Sequence, residues 1–594
     1  MCGICALWAY APAAPPVEGR ELLAIRDAMS ARGPDGAGTW IGGDARIGLG
    51  HRRLAIIDLS PAGAQPMAGE DGRERIVFNG EIYNFLELRR ELEDEGVRFR
   101  SHSDTEVLLH LYRRDGPDMV RRLVGMFAFA LWDEAKGGLL LARDPFGIKP
   151  LYLADDGTTL RAASQVKALL AGGAVDTRPE PAGHAGFFLW GNVPEPFTLY
   201  KGVRALPPGS WLWVERGGSR RSETYFSLPR SLAESSAPEG ATVAEALAAS
   251  VRRHLIADVP VGVFLSSGLD STTLAALASE ARSGHIDTLT LGFREFQGTE
   301  RDETPLAEQV ALRYGARHRT RWITAADFAA ARESILRDMD QPSIDGVNIW
   351  LVARAAAEEG LKVVLSGLGG DELFGGYNTF TQIPALVRRL SPLARVPWLG
   401  RGVRRAAAPF LGHLTSPKAA GLLEYGTGFA DAYLLRRGLF MPWELDRVLD
   451  PEMAREGLEE LATRERLEAG CDGLVRDRHR IAALEMQWYM RNQLLRDADW
   501  AGMAHSLEIR VPLVDIGLFR ALLPLLTGPT PPGKLEMAAA PRTPLPPAIL
   551  NRRKTGFSVP VAEWMGMGER GLRGWARHIH QTFTAPAARA ETGP

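Results

Sequence analysis

Residues 260–271 read PVGVFLSSGLDS, and this short stretch decides the architecture of the C-terminal half. Val261–Leu265 is an apolar run suited to a buried parallel strand. The small residues Ser266–Ser267–Gly268–Leu269–Asp270–Ser271 form a loop, and the Ala-rich stretch Thr272–Ala281 reads as a helix. A strand, a small-residue loop and a helix N-terminus together place backbone N–H groups around an anion. A serine-rich helix cap would use the same letters, so the loop alone is only moderately specific. Working outward, Thr288–Phe293 leads into the helical stretch Glu303–Tyr314, and the helix Ile349–Glu359 is followed by the strand Lys362–Ser366. That alternation predicts a parallel α/β sheet.

Upstream the rhythm differs. The first 210 residues read as strands interleaved with two helices. Ile76–Phe78, Met126–Trp132 and Gly138–Ala142 are strand-like, and Phe85–Leu92 and Val107–Tyr112 have helical spacing. Asp104 is placed to cap the second helix. Between Glu215 and Gly240 the sequence turns polar and rich in Ser, Arg, Gly and Pro, which marks a linker. The expected division is 2–210, a linker at 211–240, a second domain at 241–570, and a disordered tail at 571–594. The Arg- and Pro-rich stretch 384–428 is hard to place.

Bulk properties restrict the function. A chain of 594 residues is too long for one core. Its formal net charge of -2 gives no electrostatic case for nucleic acid or a membrane surface, and neither is an expected partner. No apolar run approaches a spanning helix, and the first residues lack the basic and apolar regions of a signal peptide. Cys2, Cys5 and Cys471 are too few for a disulfide framework and fit a reducing cytoplasm. Cys2 and Cys5 form a C-x-x-C, yet one pair offers zinc only two ligands, and Cys5 reads as a small buried residue.

Cys2 follows the initiator Met, whose removal would leave a thiol and a free α-amine on one residue. An α-amine with a pKa of about 7.7–8.0 can act as base near neutrality. Alone this is weak, since Asn79–Gly80 is also a hairpin-turn signal and Asp104 a helix cap. Five segments nevertheless occur in order: Met1–Ile4, His51–Asp58, Phe78–Asn84, Ser103–Glu106 and Gly125–Phe129. With Arg32–Asp35 and Arg143–Gly147 they closely resemble the class II glutamine amidotransferase domain, across nearly all of residues 2–210. The resemblance implies an Ntn-hydrolase-like αββα sandwich in which Cys2 attacks the glutamine side-chain amide. Arg53 would grip the substrate α-carboxylate, a task suited to guanidinium. Asn79 and the Gly80 N–H would form the oxyanion hole. Glu81 and Asp104 would bind the ammonium, with Ile56 and Ile57 completing the pocket.

The second half resembles the ATP pyrophosphatases, with a parallel sheet of the adenine nucleotide α-hydrolase type, and asparagine synthetase in particular. The carriers are the loop 266–271, Leu289–Phe293, Met339–Pro342, Val363–Tyr377, Ser506–Pro512 and Arg553–Phe557. Ser267 stands where that family usually has glycine, and no Gly-Lys-Ser/Thr follows the loop as γ-phosphate chemistry would need. The implied chemistry releases AMP and pyrophosphate. ATP would contact Leu265, Ser266, Ser267, Gly268, Asp270, Ser271, Leu291, Ser366, Gly367 and Lys554. Asp270 and Asp371 would hold Mg²⁺. Leu368 replaces a commonly acidic residue, and the acceptor segment Ser343–Asn348 also departs from the best-known members. Glutamine, ATP and aspartate are the expected substrates, with another carboxylate acceptor as the alternative. The resemblance leaves room for a homodimer.

Overall fold

The computed structural model describes residues 2–234, 241–282, 284–414, 416–552, 559–565 and 571–585. The first half contributes β1 (Gly3–Trp8), β2 (Gly36–Ile41), β3 (Ile47–Arg53), β4 (Met67–Ala68), β5 (Glu74–Ile82) and β6 (Gly125–Asp133). It continues with β7 (Gly138–Arg143), β8 (Tyr152–Asp155), β9 (Leu160–Ala163), β10 (Arg204–Ala205), β11 (Ser210–Glu215) and β12 (Arg220–Thr224). These form two antiparallel sheets, ordered β10-β8-β9-β1-β3-β2 and β12-β11-β7-β6-β5-β4. Ile4, Ala6 and Trp8 of one meet Val77, Ala128 and Trp132 of the other in a fully apolar layer. Helices Phe85–Asp94 and Asp104–Asp115 cover the second sheet, and Gly19–Asp27 covers the first. The result is an αββα sandwich.

The second half is built on β13 (Val261–Phe264), β14 (Asp287–Phe293), β15 (Arg317–Ile323), β16 (Val363–Leu365) and β17 (Glu508–Arg510), ordered β15-β14-β13-β16-β17. All neighbours pair in parallel. The chain reverses its direction of travel across the sheet between β13 and β16. Loops leaving the carboxyl ends of those two strands therefore open a crevice, the usual ligand position in such sheets.

Asn79 and Gly80, a pair that alone would signal a turn, lie within β5, paired with Ala128 and Phe127. Several sequence expectations need correction. Ser103, not Asp104, caps its helix by accepting from the Thr105 N–H. The first half also holds helices the reading missed. Pro181–Trp190 is one of them; all ten of its residues are buried, so it has no polar face to mark its period. Residues 211–215 and 220–224, expected in the linker, are strands: Trp211 pairs with Ala142 of β7, and β12 is a charged edge strand. Residues 235–240 lie outside the described residues. The expected tail begins with the helix Arg573–Thr584, whose Trp575 and Ile579, one turn apart, are fully buried. Its last nine positions, 586–594, lie outside the described residues.

The halves share core. Leu54, Ile56, Tyr83 and Met126 pack in one cluster with Leu247, Leu513 and Phe519, and Phe187–Trp190 join the second half's other cluster. Buried ion pairs cross the same boundary. Arg32 donates to both oxygens of Asp499 at 2.7 and 3.0 Å. Among the described residues no helix is long and apolar enough to cross a membrane.

Candidate functional site

Cys2 lies just ahead of β1 and is 8 % exposed. Its N–H donates to Asn79 Oδ1 at 3.0 Å, and its carbonyl accepts from Arg32 Nε at 3.1 Å. Burial pushes the thiol up from its ordinary value. The Asn79 amide nitrogen is buried with no hydrogen-bond partner among the described residues, a donor left for an incoming oxygen. Gly80 is required by a close approach, because a Cβ there would lie 2.1 Å from the Met126 carbonyl oxygen. Arg53 is anchored by donation to the Ser60 carbonyl at 2.9 Å and to the Asp58 carbonyl. Ile56 is buried and Ile57 half-buried beside it.

Two carboxylates sit deeper. Asp104 accepts from the Ile82 N–H at 3.0 Å, and burial pushes it up to about 6. Glu81 is fully buried and raised well above the usual carboxylate range, by burial first and by Glu508 second. Its counter-cation comes from the other half: Arg510 Nη2 lies 3.5 Å from Glu81 Oε1. Arg510 also donates to Glu508 at 2.5 Å and to the His254 and Ile256 carbonyls at 2.8 and 2.6 Å. Its own carbonyl accepts from the Ser366 N–H at 2.8 Å. One residue of β17 thus touches both expected sites, and the sequence reading had not singled it out.

The second site is a cavity of about 360 Å³ at the carboxyl ends of β13 and β16. Of the ten residues expected around ATP, nine line it: Leu265, Ser266, Ser267, Gly268, Asp270, Ser271, Leu291, Ser366 and Gly367. The tenth, Lys554, lies outside the described residues, as does the rest of Arg553–Phe557. Gly268 precedes the helix Leu269–Ala281 and offers no side-chain cap; its own N–H donates to Ser266 Oγ at 3.2 Å, which leaves the N–H groups that follow for an anion. Ser267 has a use that glycine could not serve: its hydroxyl accepts from Arg552, which also pairs with Glu303 at 3.1 Å. This places a guanidinium at the loop, a cation the sequence reading missed.

Lys534 was missed as well. Its ammonium contacts Asp270 and lies 2.8 Å from Asp371. Gly376 lets Asp371 come close, since a Cβ there would lie 2.0 Å from Asp371 Oδ1. The two aspartates therefore converge on one cation, the Lys534 ammonium, at the wall of the cavity. Among the described residues no group of three His, Cys, Asp or Glu is clustered for a metal. Two carboxylates plus phosphate oxygens are nevertheless a donor set that suits Mg²⁺.

Leu368 lines the cavity, half-buried and packed against both cores of the second half. The acids that could replace the missing carboxylate are elsewhere. Glu372 accepts from Tyr377 at 2.9 Å, and burial pushes it up to about 7. Asp345 is raised to about 6 by burial and lines a separate cavity of about 270 Å³ with Trp190, Asn192, Arg437, Tyr489 and Gln493.

Comparison with known proteins agrees with this division. Residues 1–226 match a glutamine amidotransferase domain family, and residues 242–589 match the asparagine synthase family. A putative glutamine-hydrolysing asparagine synthetase of Mycobacterium tuberculosis is 35 % identical across 97 % of this chain and 90 % of its own. Glutamine-hydrolysing asparagine synthetase 1 of Bacillus subtilis is 32 % identical across 98 % of this chain and 90 % of its own. A Gibberella zeae protein called amidase chry2 is 34 % identical across 61 % of this chain and 56 % of its own.

Proposed function

Since the chain belongs to the glutamine-hydrolysing asparagine synthetase family, we propose that it transfers the amide nitrogen of glutamine to the side-chain carboxylate of aspartate, with ATP cleaved to AMP and pyrophosphate. The observation that carries the reading is the cavity at the β13–β16 crevice. There an uncapped helix N-terminus, Lys534 and Arg552 face the space a triphosphate needs.

In the first half, Cys2 is the nucleophile toward the glutamine amide. Asn79 Nδ2 and the Gly80 N–H receive the developing oxyanion, a contribution of about 3 kcal/mol per donor. Arg53 holds the substrate carboxylate, and Glu81 with Asp104 holds its ammonium. Arg510 keeps Glu81 oriented from the opposite side. In the second half, the loop 266–271 cradles the phosphates. Lys534 and Arg552 neutralise the leaving pyrophosphate. Asp270 and Asp371 would hold Mg²⁺, which when bound supplies charge neutralisation at the phosphate oxygens. Ammonia released at Cys2 then attacks the acyl-adenylate.

A second reading keeps this machinery with a different carboxylate acceptor. Leu368 favours it, since an apolar wall stands where the family commonly has an acid, and neither Asp345 nor Glu372 lines the nucleotide cavity. The test is a panel of carboxylates assayed for AMP and pyrophosphate release with ATP, Mg²⁺ and ammonium. Aspartate-dependent release with asparagine as product supports the first reading; release with another acid alone replaces it. Cys2→Ala should abolish glutamine hydrolysis and spare ammonium-dependent synthesis. Loss of both in a folded variant would refute the division of labour.

A further inference from the structure

We propose that the helix Pro397–Leu414 and the segments beside it form a docking surface for an anionic membrane. The starting observation is local charge. Residues 373–423 contain six arginines and one lysine but no Asp or Glu, in a chain whose formal net charge is -2. The overall balance conceals this basic island, whose arginines, at 388–405, do not line the nucleotide cavity.

The island is also where apolar side chains face water. Trp398 is 68 % exposed, Leu399 38 %, Val403 38 % and Leu422 42 %. Trp398, Leu399 and Val403 share the outer side of the helix by spacing, with Gly402 and Ala406 exposed between them. Arg401 and Arg405 flank that stripe, and Arg388, Arg389 and Arg395 are exposed just before it. The inner side is the one that packs on the protein: Gly400 is buried, and Arg404 pairs with Glu424 at 2.5 Å. Arg401 borders a groove holding Glu424 and Asp431, so part of its charge is offset. Arg389, Arg395 and Arg405 form no ion pair among the described residues.

An exposed tryptophan and aliphatic residues bordered by arginines match the two regions of a lipid interface: acyl boundary below, phosphate headgroups above. A nucleic acid would engage the arginines but gives Leu399 and Val403 no apolar environment. That difference decides between the two polyanions. Attachment would be peripheral, because exposed Arg401 and Arg405 interrupt the apolar residues of the helix.

The test uses full-length protein sedimented with vesicles of phosphatidylglycerol in phosphatidylcholine, and with phosphatidylcholine alone, at low and high salt. Binding is expected to the anionic vesicles and to weaken with salt. Replacing Arg395→Gln and Arg405→Gln together should lower apparent affinity about tenfold. Trp398→Ser should lower it too, including at high salt, where charge is screened. Glutamine hydrolysis should stay at the parent level in both variants, which reports folding. No sedimentation at low salt, or binding unchanged in both variants, overturns the proposal. So does binding to a random duplex DNA, without vesicle binding, that the arginine variant loses and Trp398→Ser retains. Conversion of a dimer to a monomer by Trp398→Ser, without vesicle binding, would assign the patch to a second copy.

Discussion

Replacing Lys534 with methionine keeps the length of the side chain and deletes one charge from the nucleotide cavity. Lys534 is 15 % exposed and has two carboxylate partners, Asp371 at 2.8 Å and Asp270. Both attractions hold its ammonium above the ordinary lysine value, against the opposing effect of burial. Removing one member of a buried ion pair costs about 3–5 kcal/mol. The cavity is open enough for water to screen the abandoned aspartates, so about 2–3 kcal/mol is the fair figure here. If that cation also stabilises the departing pyrophosphate, the loss appears in the rate as about 30–160-fold. Pyrophosphate release, followed with ATP, Mg²⁺, ammonium and the acceptor, should fall by that amount. Glutamine hydrolysis should not change. Two unneutralised carboxylates should also bind Mg²⁺ more tightly, so the Mg²⁺ concentration for half-maximal rate should drop. Pyrophosphate release within about threefold of the parent, with an unaltered Mg²⁺ requirement, would show that Lys534 only fills space.

Asp270→Asn should suppress pyrophosphate release and leave glutamine hydrolysis intact; near-normal release would remove Asp270 from the phosphate site. Arg510→Lys cannot span Glu508, Glu81 and two carbonyls, so KM for glutamine should rise about tenfold while ammonium-dependent synthesis changes less. An unchanged KM would show that Glu81 needs no support from β17. Glu372→Gln tests linkage. The folded pKa of about 7 lies above the ordinary 4.5, so the native state binds the extra proton between those values and loses stability as pH rises through them. The variant should therefore be more stable than the parent above about pH 7, by about 3 kcal/mol, with the advantage gone below pH 4.5. Equal melting temperatures across that range would contradict the assigned burial.

Local segments were legible because their cause is local. The apolar run into 266–271 specifies a buried strand, a tight loop and a helix start without help from distant residues, and the cavity forms around it. Asn79, Gly80 and Glu81 were legible as a group because they are consecutive on β5. What failed depended on partners far along the chain. The strand character of 220–224 comes from pairing with β11 and is absent from its charged composition. Helix Pro181–Trp190 is buried on every side, so only its neighbours reveal it. Lys534 lies 264 positions after Asp270 in an unremarkable context, and nothing in KLEMA announces a cation for two aspartates.

By itself, the sequence determined the two-part chemistry, since short motifs carry their own backbone geometry and reactive groups. Tertiary structure alone decided how the parts meet. Arg510 reaches Glu81 and holds Ser366 because β17 is the edge of one sheet and lies against the end of another. Arg32 and Asp499 pair because packing removes both from water, and a buried charge requires its opposite. Such pairings are set by the shape of the whole core, which no local stretch of residues encodes.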